Sequence, residues 1–470
     1  MKRLLRTIIL LVIHLFGAPG ARKATQSANN TLETPRMSQA QKIKPIAKAY
    51  KQQHSLDSYG YPLPPDSRQR LRKTAVRTSK SMLNICIYLM MSCLGGLFWL
   101  RRMGKKYPPL TTNNKHPRRI LVIRLDLIGD LVLSMTTVRA LKHAYPQTEI
   151  DLLALPVSAK VITGDPDLHE IITYDPNIWR RPKALIQLKN WRNAYNLLRH
   201  LHASDYDIAI SIFGKWAGIL AALSGATRRV GFGRESYPGL MTDNVRGYHW
   251  RSGDHKHEVD YCLKLARAAG AITRTTDRIP HLYVDPLAKQ QIEQLLECEG
   301  IFPEKPLIVC HISSNNGQSK RWPIPYWAIL IDKLIRGQNA QVILSGAPDD
   351  KSLIECVTRQ MQEQANNLAG KTSLPQLVAL LNRANLLISG DSGPMHIAAA
   401  VGTPLIAIHG PTDPALSGPV SPTATVLRSD IWCSPCYNAK DSADCRFFTT
   451  QCMKNILPSQ VYKAAQEKLI

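Results

Sequence analysis

The sequence predicts an α/β protein built on two doubly wound parallel sheets. Two observations carry that reading. From residue 120 onward, short apolar runs alternate with amphipathic helical segments. The alternation also comes as two series, with an irregular stretch, DRIPHLYVDP, falling in the 270–290 region between them. Such alternation implies parallel sheets covered on both faces. A chain of 470 residues is too long for one ordinary core. The expectation is an extension at 1–119, then domains at 120–285 and 286–470.

In the first series, ILVIRL (120–125) reads as a strand and a helix follows to about Ala144. EIDLLAL (149–155), IITY (171–174), YDIAISI (206–212) and RRVGF (228–232) read as further strands. Helices are expected near 185–202 and in the small-residue run AGILAALSGA at 217–226. In the second series the strands are PLIVCHI (306–312), AQVILSG (340–346), LLISGD (386–391) and PLIAIHG (404–410). The clearest helix there is LPQLVALLNRA at 374–384.

The extension differs in composition. It carries 23 of the 60 basic residues and 3 of the 35 acidic ones, leaving 37 and 32 for the rest of the chain. The formal charge of +25 is therefore mostly a property of residues 1–119, which argues against a nucleic-acid partner. Two apolar segments lie within it. Residues 8–18, after Lys2, Arg3 and Arg6, have the outline of a signal peptide. Residues 82–100 are uncharged, end on Trp99 and Leu100, and approach the roughly 20 residues a membrane span needs. They are expected to act as a membrane anchor, with the basic 101–119 side in the cytoplasm, the alternative being a buried or interfacial helix. Residues 20–80 read as a polar tether. A start at Met82 or Met103 would shorten the extension.

Ligands of such sheets bind at the carboxyl ends of the strands, so the polar residues there are the functional candidates. After the first strand come Asp126, Gly129 and Asp130. Gly129 lets the chain turn tightly. Asp130 either complements a helix dipole or serves as a general base toward a hydroxyl. Asp126 is read as solvated or bracing the loop. After PLIVCHI, the hydroxyls of Ser313 and Ser314, followed by Lys320, suit a phosphate or diphosphate, although a solvated loop packed by Trp322 fits as well. After QVILSG, Asp349 or Asp350 could accept from a ribose, or simply cap a helix. The most specific local signal is DSGPMHIAAAVG. There Asp391, Ser392 and Gly393 form a tight loop, His396 falls in the first helical turn, and the helix start is an anion site. Finally, Cys433, Cys436, Cys445 and Cys452 are four thiols within a short span. They could hold a structural zinc, form two disulfides, or remain reduced.

From residue 120 onward the chain resembles glycosyltransferase family 9, the heptosyltransferases of the lipopolysaccharide core. The resemblance rests on IRLDLIGD, on KRWP after the middle strand, on SGAPDD, and on SGDSGPMHIAAA followed by GTPLIAIHGPT. It implies a GT-B fold with the acceptor mainly on the first domain and a nucleotide-sugar donor, ADP-heptose, on the second. It implies Asp130 as catalytic base, Lys320 against phosphate and Asp350 on the nucleoside. Asp391, Ser392, Gly393 and His396 would cradle the diphosphate, with Ser313 and Ser314 nearby. The expected reaction is inverting transfer to a lipid-linked sugar, without a catalytic metal, at the cytoplasmic side of the inner membrane. The competing readings are a nucleotide-sugar epimerase or another GT-B transferase, a non-catalytic membrane-bound nucleotide-sugar-binding protein, and a metal or redox module built on the four thiols.

Overall fold

The computed structural model describes residues 116–247, 255–314, 318–437, 445 and 447–469, with single residues at 92, 93 and 96. Segment 8–18 lies outside the described residues, and segment 82–100 almost entirely so. Among the described residues no helix is long and apolar enough to cross a membrane.

The first sheet comprises β1 (Arg119–Arg124), β2 (Glu149–Ala154), β3 (Glu170–Thr173), β4 (Ile208–Phe213), β5 (Arg228–Phe232) and β6 (Asp243–Val245), in the order β3-β2-β1-β4-β5-β6. Its helices are α1 (Ile128–Ala144), α2 (Pro182–Leu185), α3 (Leu188–Ala203), α4 (Lys215–Leu223) and α5 (Glu258–Ala268). The second sheet comprises β7 (Leu307–His311), β8 (Gln341–Ser345), β9 (Asn366–Asn367), β10 (Leu386–Gly390), β11 (Leu405–His409) and β12 (Ala424–Arg428), in the order β12-β11-β10-β7-β8-β9. Its longer helices are α6 (Pro286–Cys298), α7 (Ile324–Gln338), α8 (Lys351–Thr358), α9 (Leu374–Arg383) and α10 (Gly393–Val401). They are followed by α11 (Pro414–Ser417), α12 (Gln451–Lys454) and α13 (Pro458–Leu469). The pairings in both sheets are parallel.

The central strands are apolar along their length because both faces are covered. Ile120, Leu121, Val122 and Ile123 of β1 are all fully buried, as are Leu386, Leu387 and Ile388 of β10. Helix α1 is buried almost all round, since it packs on α5 and on α10 of the other sheet as well as on its own. Its three buried hydroxyls find carbonyls: Ser134 Oγ donates to Asp130 O at 2.7 Å, Thr136 Oγ1 to Leu133 O at 2.8 Å, and Thr137 Oγ1 to Cys262 O at 3.0 Å. One apolar cluster runs continuously from α1 and β1 through α9 and α10, so the two sheets share part of a core.

The helix expected near 185–202 is α3, preceded by the short α2, with Gln187 extended between them. Side chains explain the break. Asn190 Nδ2 donates to Ala184 O at 3.0 Å and Trp191 Nε1 to Leu185 O at 2.8 Å. Those are the carbonyls a continuous helix would need for its own ladder.

Candidate active site

Helices α1 and α10 meet at their N-termini. A Cβ on Gly393 would lie 3.2 Å from Ile128 Cβ, and one on Gly129 would lie 2.6 Å from Cδ2 of the His396 ring. Gly129 is the second residue of α1 and has no left-handed backbone angle. The tight turn expected of it is therefore absent, and its small size serves the close approach of His396 from the opposite sheet. Two positive helix ends thus face one cleft, where they favour negative charge.

Asp130 sits in the first turn of α1, facing that cleft. Its side chain is 43% exposed, and Oδ1 lies 3.3 Å from Arg124 Nη2. Arg124 is the last residue of β1 and only 2% exposed. A register shift against β4 between Ile123 and Arg124 re-aims it. Its guanidinium lies 5.4 Å from the centroid of the Phe213 ring, 3.1 Å from Asp126 Oδ2, and donates to Glu258 Oε1 at 2.9 Å. Three carboxylates therefore share one buried guanidinium, so Arg124 fixes Asp130 without neutralising the group.

The excess charge shows at Asp126. Burial, then the carboxylates of Asp130 and Glu258, push its pKa up to about 6 against the pull of Arg124. A folded pKa above the ordinary 3.8 means that folding favours the protonated acid. The associated stability is complete below about pH 3.8 and is lost as pH rises through about 6. Asp126→Asn should thus stabilise the protein by about 1–3 kcal/mol at pH 8 and by nearly nothing at pH 3.5, measured by urea titration.

On the second sheet, Lys320 and Asp391 are both nearly buried, and Nζ donates to Asp391 Oδ2 at 2.7 Å. Burial would raise the Asp391 carboxyl, but Lys320, with His409 and His396, holds it below its usual value. The Nζ also lies 4.1 Å from the centroid of the Tyr437 ring. Tyr437 is fixed by its own N–H, which donates to Pro411 O at 2.8 Å just beyond β11. Ser392 precedes α10 and pairs its hydroxyl with Ser389 at 2.9 Å. His396 is buried with Nδ1 lacking a partner, and burial lowers its pKa to about 4, so it is neutral near pH 7.

Ser313 and Asp350 form a separate network at the ends of β7 and β8. Ser313 Oγ donates to Asp350 Oδ2 at 2.8 Å, and Ala347 N donates to the same oxygen at 2.8 Å. His311 pairs through Nδ1 with Ser345 Oγ at 3.0 Å and is held neutral by burial, with a pKa of about 4. Ser314 is buried beside this network in sequence. The structure thus brings Gly129 and Asp130 together with Lys320, Asp391, Ser392, Gly393 and His396, and keeps Ser313 and Asp350 in a second cluster.

Comparison with known proteins places this arrangement. The sequence model described as glycosyltransferase family 9 (heptosyltransferase) matches residues 194–446. The chain belongs to glycosyltransferase family 9. It is 29% identical over 318 residues to lipopolysaccharide heptosyltransferase 2 of Escherichia coli K12, covering 66% of this chain and 88% of that one. Among solved structures it is similar to a family 9 glycosyltransferase of Veillonella parvula, at 25% identity and a TM-score of 0.64, covering 75% of this chain and 97% of the other. It is also similar to the E. coli ADP-heptose lipopolysaccharide heptosyltransferase II, at 27% identity and a TM-score of 0.57, covering 75% and 98%. The fold is GT-B and the protein is a glycosyltransferase.

Within this family 9 chain, three site residues have little local signal. Arg124 is legible only as a charge closing an apolar strand, whereas Glu258 and Tyr437 reach the site from 134 and 117 positions beyond the residues they meet. The Tyr437 ring over the ammonium is worth about 0.5–2 kcal/mol where water is excluded. Tyr437→Leu should lower stability by that amount in urea titration, while Tyr437→Phe, which keeps the ring, should match the parent.

The cysteines gather beside Gly410. Ser434 Oγ donates to Gly410 O at 2.6 Å, Cys436 N donates to Pro411 O at 2.9 Å, and a Cβ on Gly410 would lie 3.1 Å from Cys452 Sγ. No disulfide links Cys433, Cys436, Cys445 and Cys452 in this structure. Burial, then the neighbouring Cys436 and Cys445, push the Cys452 thiol up to about 12. Among the described residues, no group of three or more His, Cys, Asp or Glu is set to hold a metal.

Proposed function

We propose that the protein transfers a heptose from ADP-heptose to a lipopolysaccharide-core or related glycolipid acceptor, with inversion. The observation that carries the reading is the apposition of Asp130, on the first sheet's leading helix, with Lys320, Gly393 and His396 on the second. The domain at 120–285 would then hold the acceptor, and that at 286–470 the nucleotide sugar.

In this reading Asp130 takes the proton of the acceptor hydroxyl, whose oxygen attacks the anomeric carbon from the face opposite the diphosphate. Negative charge grows on the departing ADP. Lys320 and the N-terminus of α10 answer it in a largely buried setting, where fixed donors are most effective. Neutral His396 can offer an N–H to a donor oxygen without adding a charge that would quench Asp130. Asp350 or the hydroxyls beside it would meet the nucleoside. The relatives named as lipopolysaccharide heptosyltransferases support heptose as the sugar and the lipopolysaccharide core as the acceptor class. Work at the cytoplasmic face of the inner membrane follows from that acceptor.

The test is to incubate the full chain with ADP-heptose and a core acceptor lacking the terminal heptose, then to assign the new linkage by mass and NMR. The expected product carries one added heptose with the anomeric configuration inverted relative to the donor. A donor isomerised without acceptor would indicate an epimerase instead. ADP binding without any turnover would indicate a non-catalytic binding protein.

A further inference from the structure

The segment after β3 has no role in the site described above, and its surface is unusual. Residues 176–203 contain six Lys or Arg and no Asp or Glu. Among the described residues no carboxylate pairs with Arg180, Arg181, Lys183, Lys189, Arg192 or Arg199, and all six are exposed. Between them project two aliphatic side chains, Ile186 at 82% exposure and Leu188 at 84%. The projection is built in. Trp179 and Trp191 pack at 4.8 Å between ring centroids, and their indole N–H groups are bonded to Tyr174 Oη and Leu185 O. This rigid pair supports the break between α2 and α3 that carries Ile186 outward.

Helix α3 continues the pattern. Leu201 is buried, while Leu188, Arg192, Tyr195 and Arg199 fall on one exposed stripe at helical spacing. Scattered exposed aliphatics are ordinary. Two beside each other, ringed by unpaired cations and free of acids, form the pattern of an interfacial segment. The aliphatics enter the headgroup boundary and the cations meet anionic lipid. A nucleic acid would use the charge but leave Ile186 and Leu188 without a purpose.

Position supports the same partner. The segment leaves the carboxyl end of β3, and Val157, 65% exposed, follows the carboxyl end of the adjacent β2. These strands run parallel to β1, so both features lie at the end of the sheet that carries Asp130. We propose that residues 176–199 form a docking face for an anionic lipid bilayer, which holds the first domain with its cleft near lipid-borne acceptor. This rests on the glycolipid acceptor proposed above.

The test is hydrogen–deuterium exchange on the full chain, with phosphatidylethanolamine–phosphatidylglycerol vesicles and with pure phosphatidylcholine vesicles. Because the readout is local, attachment through the N-terminal extension does not substitute for it. Backbone amides of 183–192 should exchange about tenfold more slowly with the anionic vesicles, and molar salt should reverse most of that protection. Each cation removed, as in Arg181→Gln and Lys183→Gln, should weaken affinity for the anionic vesicles by roughly fivefold, so that protection at a fixed lipid concentration falls. The Ile186→Ser/Leu188→Ser variant should lose it while binding ADP as the parent does. Equal exchange with both vesicle types overturns the proposal even if heptose transfer is intact. Protection without any transfer would support the docking face and overturn the proposed reaction instead.

Discussion

Asp130→Asn should lower kcat for heptose transfer by roughly 10²–10⁴-fold while ADP affinity stays within twofold of the parent, about 0.4 kcal/mol. The substitution keeps shape and removes only proton-accepting power. Binding survives because the groups assigned to the diphosphate, Lys320 and the start of α10, belong to the other sheet. The ion cluster behind Asp130 sharpens the expectation. A single guanidinium paired with a single carboxylate would leave a weak base. Here Arg124 also meets Asp126 and Glu258, so it orients Asp130 at 3.3 Å while the cluster retains negative charge when its acids ionise. Arg124→Met should therefore do more harm than the loss of one contact, because three acids would be left to repel one another around a buried site. It should cost stability and turnover together, whereas Asp130→Asn costs turnover alone. Single-turnover kinetics and calorimetry on the two variants separate these patterns. If Asp130→Asn retains near-normal turnover, the base lies elsewhere.

The architecture was legible because strands in a parallel sheet must be apolar on both faces. ILVI and LLIS stand out from their flanks for that reason, and both are buried in the structure. The strand-end rule then led to Asp130, Lys320, Asp391, Gly393 and His396, which converge on one cleft. Three things were not legible, each for a physical reason. The break at Ile186–Gln187 depends on two side chains, Asn190 and Trp191, that bond backward to carbonyls of the preceding turn. Gly129 reads as a turn glycine because local sequence cannot show that His396, 267 positions later, presses against it. The partners of Arg124 and Lys320 are set by which strand ends lie side by side, a property of sheet order rather than of any window of sequence.

Lys320→Met should reduce kcat/KM by about 10²–10³-fold, the effect expected when one preorganised donor to a developing oxyanion is removed. It should also destabilise the protein by about 3–5 kcal/mol, since Asp391 would be left as a buried charge with its partner gone. The two effects have different origins, and a second variant separates them. Lys320→Met/Asp391→Asn removes both charges, so much of the stability should return while transfer stays low. The acid side gives an independent check. In the parent, Asp391 is held below its ordinary carboxylate value, chiefly because Lys320 outweighs the cost of burial. A depressed folded pKa contributes stability that is present above the unfolded value and is lost as pH falls through that range. The parent should accordingly lose stability as pH drops through and below about 4, whereas the double variant, with nothing to titrate at that position, should show a shallower decline over the same interval. Urea titrations at several pH values, read beside transfer rates, would show whether Lys320 acts on the donor or only supports Asp391. Recovery of transfer along with stability in the double variant would assign the lysine a purely structural role.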